Sequence, residues 1–360
     1  FQILCPIFIY KLYAMKTKFL LFILFLTGSS SCQTTAPGSR KAGWPSAAEG
    51  MSLTRLAFGS CNQHNLPQPL WNDILATNPQ LWIWLGDNVY GDSEDMAVLK
   101  QKYDAQKQIP DYQKLTASVP VIGIWDDHDY GVNDGGAEYP KKRESQQLMF
   151  DFLGAPADSP LRKQEGGYSA HTYGSGDKQV KVILLDGRYF REPLQRVDGV
   201  YQPNQTGTFL GEAQWRWLEK ELTNSKAAVH VIGCGIQFIP EEQRLEQWAN
   251  FPQARRRFFD LLAKTKPPGV VLLSGDRHIG EISRYQPDGM PYPIHEVTSS
   301  GLTHAATQNT SEANQHRIGP IVNQLNFGLL EIDWSQPKPQ VNLQIRGKEN
   351  AVFVSEKVSF

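Results

Sequence analysis

Six short apolar runs recur along the chain, at 55–60, 81–85, 119–125, 180–185, 229–233 and 269–273, each rich in Val, Ile, Leu or Trp and bounded by glycine or polar residues. Runs of that length without polar alternation predict strands buried on both faces. Between them lie segments with a helical period. Residues 212–222 place Trp215, Leu218 and Leu222 on one face, and residues 252–264 carry Phe258, Leu261 and Leu262 in the same way. Strands and helices in alternation predict a layered α/β domain. The pattern then changes: runs at 294–298, 327–332, 341–346 and 352–358 are short and alternating, as in antiparallel strands, and predict a second sheet or a sheet extension of the same domain.

The N-terminal stretch reads differently. Met15-Lys16-Thr17-Lys18, the apolar residues 19–26 and the small residues 27–31 before Cys32 have the three regions of a secretory signal. Its apolar core is too short to span a bilayer as a helix. A small-residue run that stops at cysteine resembles a bacterial lipoprotein signal, which implies lipidation at Cys32 and a membrane anchor. Ser29 departs from the Leu-like residue usual three places before that cysteine, so plain secretion with nearby cleavage is the alternative. Residues 1–14 precede Met15 and read as translated upstream sequence. One anchor using both apolar stretches is a further reading, interrupted by Lys11, Lys16 and Lys18. Residues 33–50, rich in Ser, Ala, Gly, Pro and Lys, read as a flexible tether. The organisation expected is therefore 1–32 leader and signal, 33–52 tether and 53–360 one domain, exported to a periplasm or cell surface.

Composition narrows the function classes. The chain has 360 residues, enough to bury a large core, and a net charge of −1, so no global field draws it to nucleic acid. Sequence-specific nucleic-acid binding is not expected, and a monomer is. Of the four cysteines, Cys61 and Cys234 lie in the body of the chain. An exported protein could pair them, but Cys61 ends a strand-like run and reads better as a thiolate ligand, whereas Cys234 reads as a buried core residue.

The strand ends carry the candidate chemistry. Gly86-Asp87-Asn88-Val89-Tyr90, Asp126-Asp127-His128-Asp129 and Ser274-Gly275-Asp276-Arg277-His278 each follow an apolar run. Parallel strands that deliver Asp, His and Tyr to their C-terminal ends assemble one polar site from distant sequence, and these residue types point to a metallohydrolase. Asp87 can offer one oxygen to each of two cations, and Tyr90 a phenolate. A capped turn is the bland alternative for this segment alone. Three carboxylates within 126–129 repel one another unless solvated or held by a cation. Asp127 is expected to bind metal, His128 to act as general acid and Asp129 to fix its tautomer. Asp276 and His278 alternate along an extended chain and are expected to reach the metals together. Arg277 is either a substrate contact or a structural ion pair, and Asn88 and Gln237 are further candidates for contacting substrate. His64, His171, His230, His295, His304 and His316 read as loop or core residues, with His304 placed where it could line the cleft.

Taken in order, Phe58-Gly59-Ser60-Cys61, Gly86 to Tyr90, Trp125-Asp126-Asp127-His128-Asp129-Tyr130-Gly131, Leu185-Asp186-Gly187-Arg188-Tyr189, residues 248–255, 274–278 and Glu296-Val297-Thr298-Ser299-Ser300-Gly301 resemble the successive motifs of PhoD-like alkaline phosphatases, within the calcineurin-like metallophosphatases. The resemblance implies an α/β/β/α fold of two packed mixed sheets flanked by helices. It implies ferric iron among Cys61, Asp87, Tyr90 and His278, with one or two calcium ions served by Asp87, Asp127 and Asp276, other divalent metals being possible. Oxygen donors where most relatives place histidines suit calcium better than zinc. The implied reaction is hydrolysis of a phosphate ester by a hydroxide generated on the metals, with Arg188 on the phosphate and His128 protonating the leaving group. Arg188 has a second reading, a pair with Asp186. A phosphodiesterase acting on nucleic acid, wall polymer or phospholipid is the nearer alternative, and a metal-binding surface lipoprotein without turnover the more distant one. The β-sandwich that precedes this domain in longer relatives has no counterpart between tether and first strand.

Overall fold

The computed structural model describes residues 50–360; the signal, Cys32 and most of the tether lie outside the described residues. In chain order the strands are β1 (Arg55–Gly59), β2 (Leu81–Leu85), β3 (Val121–Ile124), β4 (Ser169–Tyr173), β5 (Val180–Leu184), β6 (Arg196–Val197), β7 (Val200–Tyr201), β8 (Val229–Gly233), β9 (Val270–Ser274), β10 (Gly280–Tyr285), β11 (Ile294–Ser299), β12 (Arg317–Val322), β13 (Phe327–Asp333), β14 (Gln340–Arg346) and β15 (Val352–Ser359). The helices are α1 (Trp71–Ala76), α2 (Met96–Lys107), α3 (Pro110–Ser118), α4 (Asp127–Tyr130), α5 (Lys142–Leu153), α6 (Gly211–Thr223) and α7 (Pro252–Thr265).

Two mixed sheets result. The first has the order β15-β14-β13-β1-β2-β3 and the second β12-β10-β11-β9-β8-β5-β4. Strands β1, β2 and β3 are parallel, as are β5, β8, β9 and β11. The six apolar runs of the sequence are β1, β2, β3, β5, β8 and β9. The C-terminal runs divide. β13, β14 and β15 extend the first sheet antiparallel, while β11 joins the second sheet beside β9 and runs parallel to it. Its partner β10 was not legible, because 280–285 mixes Glu, Ser and Arg into the run.

Alternation along the buried strands separates two cores. Val271 and Leu273 of β9 face the first sheet, in one cluster with Ile83, Leu85 and Leu329. Val270 and Leu272 face outward under α6 and α7, with Leu218, Trp248 and Phe258. On the far side of the first sheet, Trp82 and Trp84 of β2 meet Trp71 of α1 edge-on, at centroid distances of 5.2 and 5.5 Å. The layers are thus helices, first sheet, second sheet, helices. Because parallel strands place all their C-terminal ends at one edge, the loops that follow β1, β2, β3, β9 and β11 are brought to a single place.

Candidate metal centre

Cys61 follows β1, Asp87 follows β2, Asp126 and Asp127 follow β3, Asp276 and His278 follow β9, and Ser300 follows β11. Cys61, Asp87, Asp276 and His278 all have positive φ, at 58°, 49°, 66° and 53°. This left-handed conformation costs a side-chain-bearing residue on the order of 1 kcal/mol or more, and such residues gather at functional sites. Here it turns four donors off the strand direction toward a common centre. Close approach of the loops also needs glycine. A Cβ on Gly86 would run into the backbone and Cβ of Asp126, and one on Gly235 into the Asp126 carboxylate.

The donors form three overlapping groups, within each of which the ligand atoms lie within 4.8 Å of one another: Cys61, Asp87 and His278; Asp87, Asp127 and His128; Asp126, Asp127 and Asp276. In the first, Cys61 Sγ donates to Asp87 Oδ2 at 3.4 Å and lies 2.9 Å from Ser300 Oγ, which accepts the His278 backbone N–H at 2.7 Å. Tyr90 Oη is 3.1 Å from His278 Nε2. Burial pushes the Cys61 thiol up to about 12 and the Tyr90 phenol far above its usual value. Both therefore hold protons that a cation would displace.

The other groups are rich in carboxylates. Burial holds Asp87 and Asp126 well above the carboxylate range and Asp276 at about 7. Asp127 goes the other way: burial works against its charge, but Arg188, His128 and the Asp134 backbone N–H at 2.7 Å prevail and bring it to about 2. Asp126 Oδ2 is buried with no hydrogen-bond partner in the protein. An orphaned buried carboxylate oxygen beside two more carboxylates is costly without a counter-ion, and the donor set fits cations.

His128 sits at the mouth, its side chain 19% exposed. Its Nδ1 is 2.6 Å from Asp92 Oδ1, and its ring lies over Tyr90 with centroids 4.1 Å apart. Burial pulls its pKa down, but the hydrogen bond to Asp92 and the charges of Asp127, Asp92 and Asp126 raise it to about 9. The ring is thus a proton carrier at neutral pH. A cleft of about 480 Å³ opens beside it, with Asp92, Glu94, Val132 and Asn133 among its walls.

Several sequence expectations change. Asp129 does not touch the His128 ring; Oδ1 accepts the backbone N–H groups of Asp126 and Asp87 at 2.8 and 3.1 Å, and Oδ2 accepts from Asn88 N and Tyr103 Oη. It staples the loops after β2 and β3, because as third residue of α4 it closes a capping box with Asp126. Asp92 holds His128 instead. Arg188 is fully buried, and its side chain pairs with Asp126 at 2.6 Å and Glu246 at 2.6 Å, not with Asp186. The Asp186 carboxylate takes Trp125 Nε1 and three backbone N–H groups. Gln237 spends its amide on Glu281 and Thr298, and Asn88 Nδ2 holds the Ile124 carbonyl, so both brace the loops behind the site. Arg277 pairs with Glu312 at 2.7 Å and is an ion pair in this structure. Asp276 and His278 do not lie on an extended segment; positive φ at both sends Asp276 to the carboxylate group and His278 to the thiol group. Cys61 and Cys234 are both free.

Three participants had no clear signal. Asp126 was one of several adjacent acids, Asp92 lies in an exposed turn, and Ser300 was part of a recognised motif without a stated role. His304 also reaches the site, with Nε2 2.9 Å from Tyr90 Oη.

Comparison with known proteins places this geometry. The family model described as PhoD-like phosphatase matches residues 56–343. Alkaline phosphatase D of Bacillus subtilis (strain 168) is 26% identical over 220 residues, covering 54% of this chain and 36% of that protein. The match thus spans about a third of that relative's length. Among solved structures, one described as PhoD aligns with a TM-score of 0.68 at 17% identity, covering 87% of this chain and 69% of that one. GAP50, described as the anchor in the inner membrane complex of Plasmodium, aligns at 0.57 and 12% identity over 86% of this chain and 89% of its own. A dimetal phosphatase from Danio rerio aligns at 0.53 and 12% identity, over 86% and 99% respectively. These structural likenesses establish a metallophosphatase-like fold.

Proposed function

Since the chain belongs to the PhoD-like phosphatase family, we propose that it is a metal-dependent phosphoric ester hydrolase. The observation that carries this reading is the three overlapping donor groups with His128 at their mouth. Fold alone does not decide it, since the structural relatives include one described as an anchor and one as a phosphatase. An anchor has no use for a protonated imidazole aimed into a cleft.

In this reading Cys61, Asp87, Tyr90 and His278 would hold one cation, ferric iron by the phenolate and thiolate character of the donors, and Asp87, Asp126, Asp127 and Asp276 would hold oxygen-seeking cations such as calcium. Bound cations supply an acidified water and neutralise charge on the phosphate. The protein's own residues do the rest. Asp92 accepts the Nδ1 proton of His128 and keeps its Nε2 toward the cleft, Tyr90 stacks under the ring, and Nε2 gives its proton to the leaving oxygen. The Arg188, Glu246 and Arg191 network holds Asp126 in place from behind. Asp129 holds the two metal-bearing loops at fixed separation, which fixes the phosphate between donors and acid. Export and lipidation at Cys32 are part of the proposal and rest on the signal-like sequence.

The test is to purify the chain, measure bound metals and compare turnover of a phosphomonoester and a phosphodiester with that of His128→Ala. Iron with calcium, a visible absorption band, and a loss of roughly 10²–10⁴-fold in the variant are expected. Full activity of His128→Ala, or turnover that persists without metals, would overturn the mechanism. Mass spectrometry of the mature N-terminus reads the lipid on Cys32.

A further inference from the structure

His304 stands outside the motifs that carry the family resemblance, five residues beyond the end of β11, yet its ring enters the thiol side of the site. Its Nε2 is 2.9 Å from Tyr90 Oη and 3.2 Å from His278 Nε2, and those two are 3.1 Å apart. Two ligands at right angles on a metal with bonds of about 2.1 Å are roughly 3.0 Å from each other. The three atoms are therefore spaced as ligands on one face of a coordination polyhedron would be. The two imidazoles meet edge to face, at 72° and with centroids 4.4 Å apart, so neither blocks the other's approach.

Proton bookkeeping points the same way. Thr303 Oγ1 accepts the Gln63 backbone N–H at 2.8 Å and donates its own proton to the Cys61 carbonyl at 3.2 Å. A hydroxyl has a single proton. Toward His304 Nδ1, 3.0 Å away, the same oxygen is left only as an acceptor, so the ring carries its proton on Nδ1 and presents a lone pair at Nε2. On that side Tyr90 has one proton to share between two nitrogens. A metal-ligating imidazole usually donates its other ring N–H to an oxygen acceptor, and Thr303 Oγ1 stands in that place here.

We propose that His304 is an additional nitrogen ligand of the first cation, alongside Cys61, Asp87, Tyr90 and His278. This rests on the reading of that group as a metal centre. A second imidazole tilts the site further toward iron- or zinc-like ions and away from calcium, and so widens its contrast with the neighbouring carboxylates. It also ties the cation to the segment after β11, which is already pinned by the Ala306 N–H to the His278 carbonyl at 2.7 Å and by Glu312 on Arg277.

The experiment loads the purified parent chain, His304→Ala, His304→Gln and Cys61→Ser with iron, then follows metal content, the visible band and retention against a competing chelator. Melting of the metal-free forms checks that each variant is folded. Retention at least tenfold weaker in both His304 variants is expected, with a shifted band and partial recovery of the band when imidazole is added to His304→Ala. Parent-like retention and spectrum in both variants would overturn the proposal and leave His304 as a substrate contact. A parent that binds no iron, and a Cys61→Ser form indistinguishable from it, would remove the metal-centre reading itself.

Discussion

Cys61, Tyr90 and His278 bring sulfur, phenol and imidazole to one side of Asp87, whereas Asp126, Asp127 and Asp276 bring only carboxylates to the other. The two sides are kept in place by different means. The first is held by neutral hydrogen bonds, Ser300 to Cys61 and to the His278 backbone, with protons resting on thiol and phenol. The second is held by buried charge, through Arg188 and Glu246, both almost completely hidden from solvent. On the first side protons wait on thiol and phenol; on the second, burial holds Asp126 and Asp276 above the usual carboxylate range, and Asp127 alone of the three is shifted down. The same strand-end architecture thus gathers mixed donors on one side and carboxylates on the other, and the choice of atoms rather than the fold separates them.

The most disruptive way to break this contrast is at the residue common to both sides. Asp87→Asn removes the shared carboxylate, and loss of cations from both sides is expected, with turnover falling on the order of 10³-fold, as for several kcal/mol of charge stabilisation. Unequal loss in metal analysis would show that the sides are independent. Next in size, Arg188→Ala strips the buried counter-charge from Asp126 and should destabilise the fold by about 3–5 kcal/mol in urea titration. It should spare iron in the first site while weakening the second. A smaller effect separates the sides by pH. In the metal-free protein Asp87, Asp126 and Asp276 have folded pKa values above the unfolded carboxylate range, near 7 for Asp276, and only Asp127 is shifted down. The stability they allow is complete below about pH 4 and is lost as pH rises through their folded values. The gap in melting temperature between loaded and chelator-treated protein should therefore widen from pH 5 to pH 8; a constant gap would count against the carboxylate side as the origin. Least of all, Ser300→Ala should weaken iron retention by about tenfold and leave calcium unchanged.

Much of this was legible because buried parallel strands announce themselves as uninterrupted apolar runs, and the residue after each run is forced to the same edge. That reasoning located β1, β2, β3, β5, β8 and β9 and the positions of Cys61, Asp87, Asp127, Asp276 and His278. It could not apportion duties within Asp126-Asp127-His128-Asp129, since one helical turn rotates each side chain by about 100° and the turn itself was not foreseen. Asp129 consequently faces backbone N–H groups and Asp126 faces the other carboxylates. Arg188 went to Asp126 and Glu246 because Glu246 returns from a distant loop, and no local pattern predicts such a meeting. His304 and Asp92 lie on irregular segments, where period carries no information. The strands β10 and β12 were hidden by polar residues within them, among them Glu281 and Arg317, which pair with each other at 2.6 Å.

The donors come from both sheets: Cys61, Asp87, Asp126 and Asp127 from the first, Asp276 and His278 from the second. With cations bound as proposed, the sheets would have to break coordinate bonds before sliding apart to wet the apolar layer between them. The lifetime of the folded chain would then be a property of its surroundings as much as of its sequence, longer in mineral-rich water and shorter wherever citrate or another scavenger strips the ions away.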